Sequence, residues 1–290
     1  MHSIFKIVLL VLLLGISSYA IEYPSGELGK TVKLGEDIIN NTDTHPLTKE
    51  LVQSKLQCRN CHLKGDDGRT GTTKNIGTFI GTASAFPAYS SRYKRVQTLQ
   101  ERVDGCFIRC MAGKKYILNT KVGIAMTSYI TWISKGTKVK MNPKGPRSFL
   151  ITKQWEDKKK SFKPIILKAT HENYLHGQKL YKAKCTACHG INGEGNKITP
   201  PLWGKDANGK WLSYTADGSM SKLDNSAVWI QSNMPMYQAN TLSDREAINL
   251  SLYINSQERV NLGSYSIKNN FEHFGLDINA IRGYKIKEHK

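Results

Sequence analysis

Beyond its first twenty residues the chain has no apolar run long enough to cross a bilayer, which takes about 20 residues as a helix. No membrane span can therefore be read downstream. Acidic side chains are scarce: 23 Asp and Glu stand against 42 Lys and Arg, giving a formal charge of +19. A surplus of that size suits nucleic acid, small anions or acidic redox partners, or simple solubility, and charge alone does not choose among them. Cysteine is also in short supply. Four of the six cysteines fall in two short motifs, so a framework of three disulfides is excluded and only Cys106 and Cys110 remain over.

What is present begins with an export signal. Met1 to Lys6 is a short charged start, Ile7 to Ile16 is apolar apart from Gly15, and Ser17-Ser18-Tyr19-Ala20 offers small residues for cleavage. Residues 1–20 read as a signal peptide cut after Ala20, and no cysteine stands at the cut to carry a lipid. The expected location is periplasmic, with no membrane span after cleavage and no nucleic acid among the partners. At about 150 residues per domain, the remainder makes two domains.

Two C-x-x-C-H motifs carry the chemistry: Cys58-Arg59-Asn60-Cys61-His62 and Cys185-Thr186-Ala187-Cys188-His189. In this pattern the cysteines attach the vinyl groups of a haem and the histidine becomes an iron ligand. The alternative, zinc or redox cysteines beside an accidental histidine, is weakened by the second copy. Two covalent haem c groups are expected, with Cys58, Cys61, Cys185 and Cys188 as attachment points and His62 and His189 as ligands. Haem c is attached outside the cytoplasm, which agrees with export.

The motifs belong to a repeat. His62 and His189 are 127 residues apart, and a sulfur follows each at similar distance: Cys106 after 44 residues, Met234 after 45. A methionine opposite histidine raises a haem's potential and suits a relay. Met234, in Asn233-Met234-Pro235-Met236, is favoured over Met236 and Met220. Cys106 is the matching candidate at the first haem. Against it stand a Cys106–Cys110 disulfide, which is demanding within a regular helix, an inert buried thiol, and Met111. Around it lie Arg92, Lys94, Arg95, Arg102, Arg109, Lys114 and Lys115. Some of these are expected to clamp a dianion, since guanidinium groups fork onto sulfate-like oxygens.

The expected fold is all-α: two tandem class I cytochrome c-like haem domains, 21–135 and 169–258, joined by a basic linker over 136–168 that is exposed or packs across both domains. Residues 259–290 form a basic C-terminal extension. Helices are expected over Leu47–Gln57 and His176–Lys184, leading into the motifs, and over Val122–Lys135 and Ser243–Ser256, closing the domains. Gly-rich loops are expected over 64–73 and 190–197.

From about Leu47 to about Ser256 the chain resembles the dihaem thiosulfate dehydrogenases, also described as bifunctional tetrathionate reductases. The resemblance lies in Arg-Val-Asp-Gly-Cys106 with Arg109 and Met111-Ala112-Gly113, and in Asn233-Met234-Pro235. It implies a catalytic first haem with His62 and Cys106 as ligands and a second haem that hands electrons to a small electron-carrier cytochrome. It further implies thiosulfate and tetrathionate as substrates, Cys106 as the catalytic sulfur, and Arg92 and Arg102 as substrate-binding residues. Two departures stand out. Cys110 replaces a usual serine, and Asn233 replaces a lysine that in some members can swap onto the iron. The rival readings are a sulfur-carrier cytochrome, against which Met234 speaks, and a plain electron-transfer cytochrome, against which Cys106 speaks.

Overall fold

The computed structural model describes residues 22–263 and 266–285; the signal segment expected over 1–20 lies outside them. The first half contains α1 (Gly26–Asn40), α2 (Leu99–Met111) and α3 (Lys121–Ile133), and α4 (Phe149–Ile166) follows. The second half contains α5 (His171–Lys184), α6 (Thr186–His189), α7 (Leu223–Asn233) and α8 (Asp244–Asn255), before α9 (Ile267–Glu272) and α10 (Ile278–Arg282). The only strands among the described residues are β1 (Ala88–Ser90) and β2 (Arg95–Gln97), an antiparallel pair with Tyr89 opposite Val96.

One packing device is used twice. A Cβ placed on Gly35 of α1 would lie 2.0 Å from the Ala125 carbonyl oxygen of α3 and 3.0 Å from the Tyr129 Cβ. A Cβ on Gly177 of α5 would lie 1.9 Å from the Asn249 carbonyl oxygen of α8 and 3.1 Å from the Tyr253 Cβ. In each half a glycine lets the entering helix touch the backbone of the closing helix, and a tyrosine fills the space beside it. The duplication legible in the haem motifs thus extends to the helix crossings.

The closing helices are found over Lys121–Ile133 and Asp244–Asn255. The second starts at a capping box: the Ser243 side chain accepts from Glu246 N–H, and the Glu246 side chain accepts from Ser243 N–H. The helix expected over Leu47–Gln57 does not form. That stretch runs as turns and isolated bridges, and α1 lies earlier in the chain. Its backbone is committed elsewhere: Gln53 N–H donates to Ala112 O at 3.3 Å, Lys55 N–H to Trp211 O at 2.9 Å, and Val52 bridges Gly113. A helix would turn those groups inward and forfeit the bonds across to the end of α2.

The stretch expected as a linker carries α4, whose Ile151, Phe162 and Ile166 are buried in the second core. This helix packs on α7 and α8. The C-terminal extension is also anchored, because Phe271, Phe274, Ile278 and Ile281 lie in that core and His171 Nδ1 bonds Ile281 O at 2.8 Å.

Gly177→Ala is expected to cost about 3 kcal/mol, since a backbone oxygen cannot rotate away as a side chain can. Urea unfolding would read it as a lower midpoint. An unchanged midpoint would mean that α5 and α8 separate without loss.

Candidate functional site

The first C-x-x-C-H motif opens with a short turn at Cys58–Asn60 and delivers His62 against Phe79, their rings 3.9 Å apart. His62 Nδ1 bonds the Gly77 carbonyl at 2.7 Å, which fixes the ring and leaves Nε2 for a metal. Burial lowers the His62 pKa and favours the neutral imidazole that ligates. Gly77 has φ +104, and a Cβ there would lie 2.7 Å from the Cys61 oxygen and 3.2 Å from Trp229 Nε1. The close approach has a purpose. Trp229 Nε1 donates to Cys61 O at 3.0 Å, Ile76 N–H donates to Ser232 Oγ at 3.1 Å, and Asn233 Nδ2 donates to Ile76 O at 3.0 Å. The loop that aims His62 is therefore stitched to α7, the helix that ends at Met234.

Helix α2 supplies the other wall. It starts where Thr98 and Glu101 cap each other and stops at Ala112, which takes a left-handed φ of 53. Arg102, Cys106 and Cys110 recur every four residues and share one face. Asp104, on a different face, accepts from Ile117 N–H at 2.6 Å and Leu118 N–H at 3.2 Å, holding the chain that leaves the helix. The Arg102 guanidinium donates to the Cys106 sulfur.

These parts enclose a cavity of about 400 Å³ lined by Cys58, Cys61, His62, Cys106 and Cys110, with apolar walls such as Leu56, Phe107 and Ile130. Its polar lining is cationic: Arg92, Arg102, Arg109, Arg147, Lys159 and Lys222. The Cys106 thiol is held well below its ordinary range, first by hydrogen bonding with Cys110 and then by attraction to Arg102 and Arg109. Cys110 is pushed up by the same bond, by burial and by the neighbouring charge. Such a pocket stabilises a thiolate and draws in anions.

Of the basic residues singled out in the sequence, Arg92, Arg102 and Arg109 reach the cavity. Arg92 is carried there by the turn between β1 and β2. Its neighbour Arg95 instead pairs with Glu101 at 2.7 Å on the surface, and Lys94, Lys114 and Lys115 are exposed. Three cations had not been foreseen: Arg147, Lys159 of α4, and Lys222 just before α7. The linker's basic composition was visible, but only the folded path of α4 brings it over the first motif.

At the second motif, His189 Nδ1 bonds Pro200 O at 2.9 Å, again leaving Nε2 available. The three candidate methionines separate. Met234 packs against the second core, Met236 is 46% exposed, and Met220 lines the first cavity.

The residues fit haem. No cysteine is in a disulfide, so both motif pairs are available for thioethers. Among the described residues no group of three His, Cys, Asp or Glu side chains gathers to hold a bare metal ion. Arg259 is only 4% exposed and spends its guanidinium on the carbonyls of Leu202 at 2.9 Å and Ile254 at 2.6 Å. Its Nε has no partner, and no carboxylate among the described residues pairs with it. Its guanidinium also lies 3.9 Å over the Tyr214 ring, so Nε alone is left over for a group that brings its own carboxylates, as haem does.

Comparison with known proteins agrees. Residues 49–139 match the SoxA/TsdA cytochrome c domain family and residues 174–258 match cytochrome c. The chain is 34% identical over 244 residues to a thiosulfate dehydrogenase of Thiomonas intermedia (strain K12), covering 81% of this chain and 68% of the relative. It is 31% identical over 242 residues to a thiosulfate dehydrogenase of Allochromatium vinosum, covering 81% of each. Among solved structures it is similar to the thiosulfate dehydrogenase TsdBA from Marichromatium purpuratum in its "as isolated" form. That likeness has a TM-score of 0.64 at 28% identity, covering 84% of this chain. The chain spans about half the length of that solved chain, 49%. With two cytochrome c domains and two attachment motifs, the protein carries two covalent haem c groups.

Gly77→Ala would push a methyl group into the seam between the first motif and α7. A loss of about 3 kcal/mol in urea unfolding is expected. Gly68→Ala, also at positive φ (73) but with nothing within 4 Å, measures backbone strain alone and is expected to cost about 1 kcal/mol. Equal losses at the two positions would show that the seam adds nothing.

Proposed function

The chain belongs to the thiosulfate dehydrogenase family, and on that premise we propose that it joins two thiosulfate ions into tetrathionate at Cys106 and can run the same steps backwards. The observation that carries this reading is a cysteine sulfur that accepts a hydrogen bond from Arg102 inside a cationic cavity shared with His62. When bound, two haem c groups accept one electron each, which matches the two electrons that the union of two thiosulfates releases.

The chain's residues do the rest. His62 and Cys106 are assigned as ligands at the first haem, and His189 and Met234 at the second. Arg92, Arg102 and Arg109 hold a dianion with its outer sulfur toward Cys106, since fork-shaped donors match sulfonate oxygens. The Cys106 thiolate bonds that sulfur and two electrons leave, giving a Cys–S–S–SO₃⁻ adduct. A second thiosulfate attacks the adduct's sulfane sulfur; tetrathionate departs and the thiolate returns. The cations offset the charge of two dianions in one pocket. Without them the second thiosulfate would be repelled by the first.

With Met234 as its ligand, the second haem would pass electrons on to a small electron-carrier cytochrome or similar redox protein. The signal segment expected over residues 1–20 would put this chemistry in the periplasm, where a basic surface favours acidic redox partners.

The test is an assay of wild type and Cys106→Ala with thiosulfate plus ferricyanide, and with tetrathionate plus reduced dye. Cys106→Ala is expected to abolish both activities; full activity in the variant would sink the mechanism. Arg102→Ala is expected to lower kcat/KM about 10- to 100-fold, the equivalent of the ~1.5–3 kcal/mol carried by a charge-assisted hydrogen bond. A wild-type kcat/KM in that variant would remove Arg102 from the site.

A further inference from the structure

The cavity holds two free thiols, although thiosulfate chemistry at Cys106 requires one. Cys106 and Cys110 lie one turn apart on α2, both line the cavity, and neither is bridged. Their four-residue spacing puts both side chains on one face of the helix. Four residues of helix advance about 6 Å, within the ~4.4–6.8 Å between Cα atoms that a disulfide accepts. Cys110 stands in the last turn before the left-handed Ala112. On its far side is Gly218, where even an added Cβ would remain 3.7 Å from the Cys110 sulfur.

We infer that Cys110 is a resolving thiol: with Cys106 it reduces one tetrathionate to two thiosulfates without electrons from haem, leaving a Cys106–Cys110 disulfide. This rests on the reading that Cys106 takes up sulfur from these oxyanions. In the first step the Cys106 thiolate attacks an inner sulfur of tetrathionate, the central sulfur–sulfur bond breaks, and one thiosulfate leaves. Cys106 then bears –S–SO₃⁻ and has lost its own charge. In the second step Cys110 gives its proton to solvent and attacks the Cys106 sulfur. The bond to the sulfane sulfur breaks and the second thiosulfate leaves. The two thiols lose two electrons and tetrathionate gains them.

The order of events follows from the chemistry: Cys110 has no sulfur–sulfur bond to break until Cys106 bears the thiosulfate-derived group. Thiosulfate is a weakly basic leaving group, which speeds exchange. The outcome is a closed, oxidised site whenever tetrathionate is present and reductant is not, reopened by an external thiol.

The experiment mixes ferric holoprotein with tetrathionate anaerobically, without added reductant. It counts the thiosulfate released, the thiols open to iodoacetamide after denaturation, and the cross-linked peptides. Wild type is expected to release two thiosulfates per chain and lose both alkylatable thiols, with its haem spectrum still ferric; dithiothreitol then restores both thiols. Cys110→Ser, and Cys110→Ala as a second variant, should stop after one thiosulfate and keep the adduct on Cys106. An adduct in wild type with no disulfide overturns the inference and leaves the reading of Cys106 intact. No adduct in either Cys110 variant overturns both.

Discussion

The backbone of Ile76 and Gly77 is claimed from two sides, and most of the molecule's arrangement depends on that. On one side Gly77 O holds His62 at 2.7 Å; on the other the N–H and C=O of Ile76 are bonded to Ser232 and Asn233 at 3.1 and 3.0 Å. Trp229 adds a bond to Cys61 O. Ile76 itself is buried in the core of the second half. A shift of α7 would therefore cost several buried hydrogen bonds at once, and buried polar groups left unpaired are expensive. The seam ties the orientation of His62 to the helix that ends at Met234.

The seam also explains why the cavity can be so cationic. With the halves fixed together, α4 and the segment before α7 close over the first motif and bring Arg147, Lys159 and Lys222 toward Arg92, Arg102 and Arg109. Like charges brought together and partly desolvated raise the free energy of the empty pocket. Two carboxylates moderate this: Asp224, 2.6 Å from Lys159, and Glu156, whose charge acts on Arg147. Such an imbalance favours anionic occupants. In this sense the site is electrostatically completed by what it binds.

Local rules account for much of the helical framework. Thr98 with Glu101 and Ser243 with Glu246 start α2 and α8 as their spacing implies, and apolar periodicity located the two closing helices. The failures have a common cause. Residues 52–55 have helical composition but are drawn into bonds with Ala112 and Trp211, far along the chain. Helix α4 looked like a linker because lysines interrupt its apolar stripe and Pro164 stands near its end. Its buried face became clear only against α7 and α8. The short hairpin that positions Arg92 had too few residues to show a pattern.

The sequence by itself determined the covalent chemistry: two haem attachment motifs, a sulfur at matched distance after each, and an excess of cations near Cys106. These are legible because attachment and ligation need particular residue types at short, fixed spacing. Tertiary structure alone decided which methionine sits in the core, which of two nearby arginines enters the cavity, and that three further cations from later in the chain join it. It also put Cys110 on the cavity wall with Cys106. Those outcomes depend on burial and on contacts between distant segments, and charge and polarity along a sequence do not specify which groups will share one desolvated space.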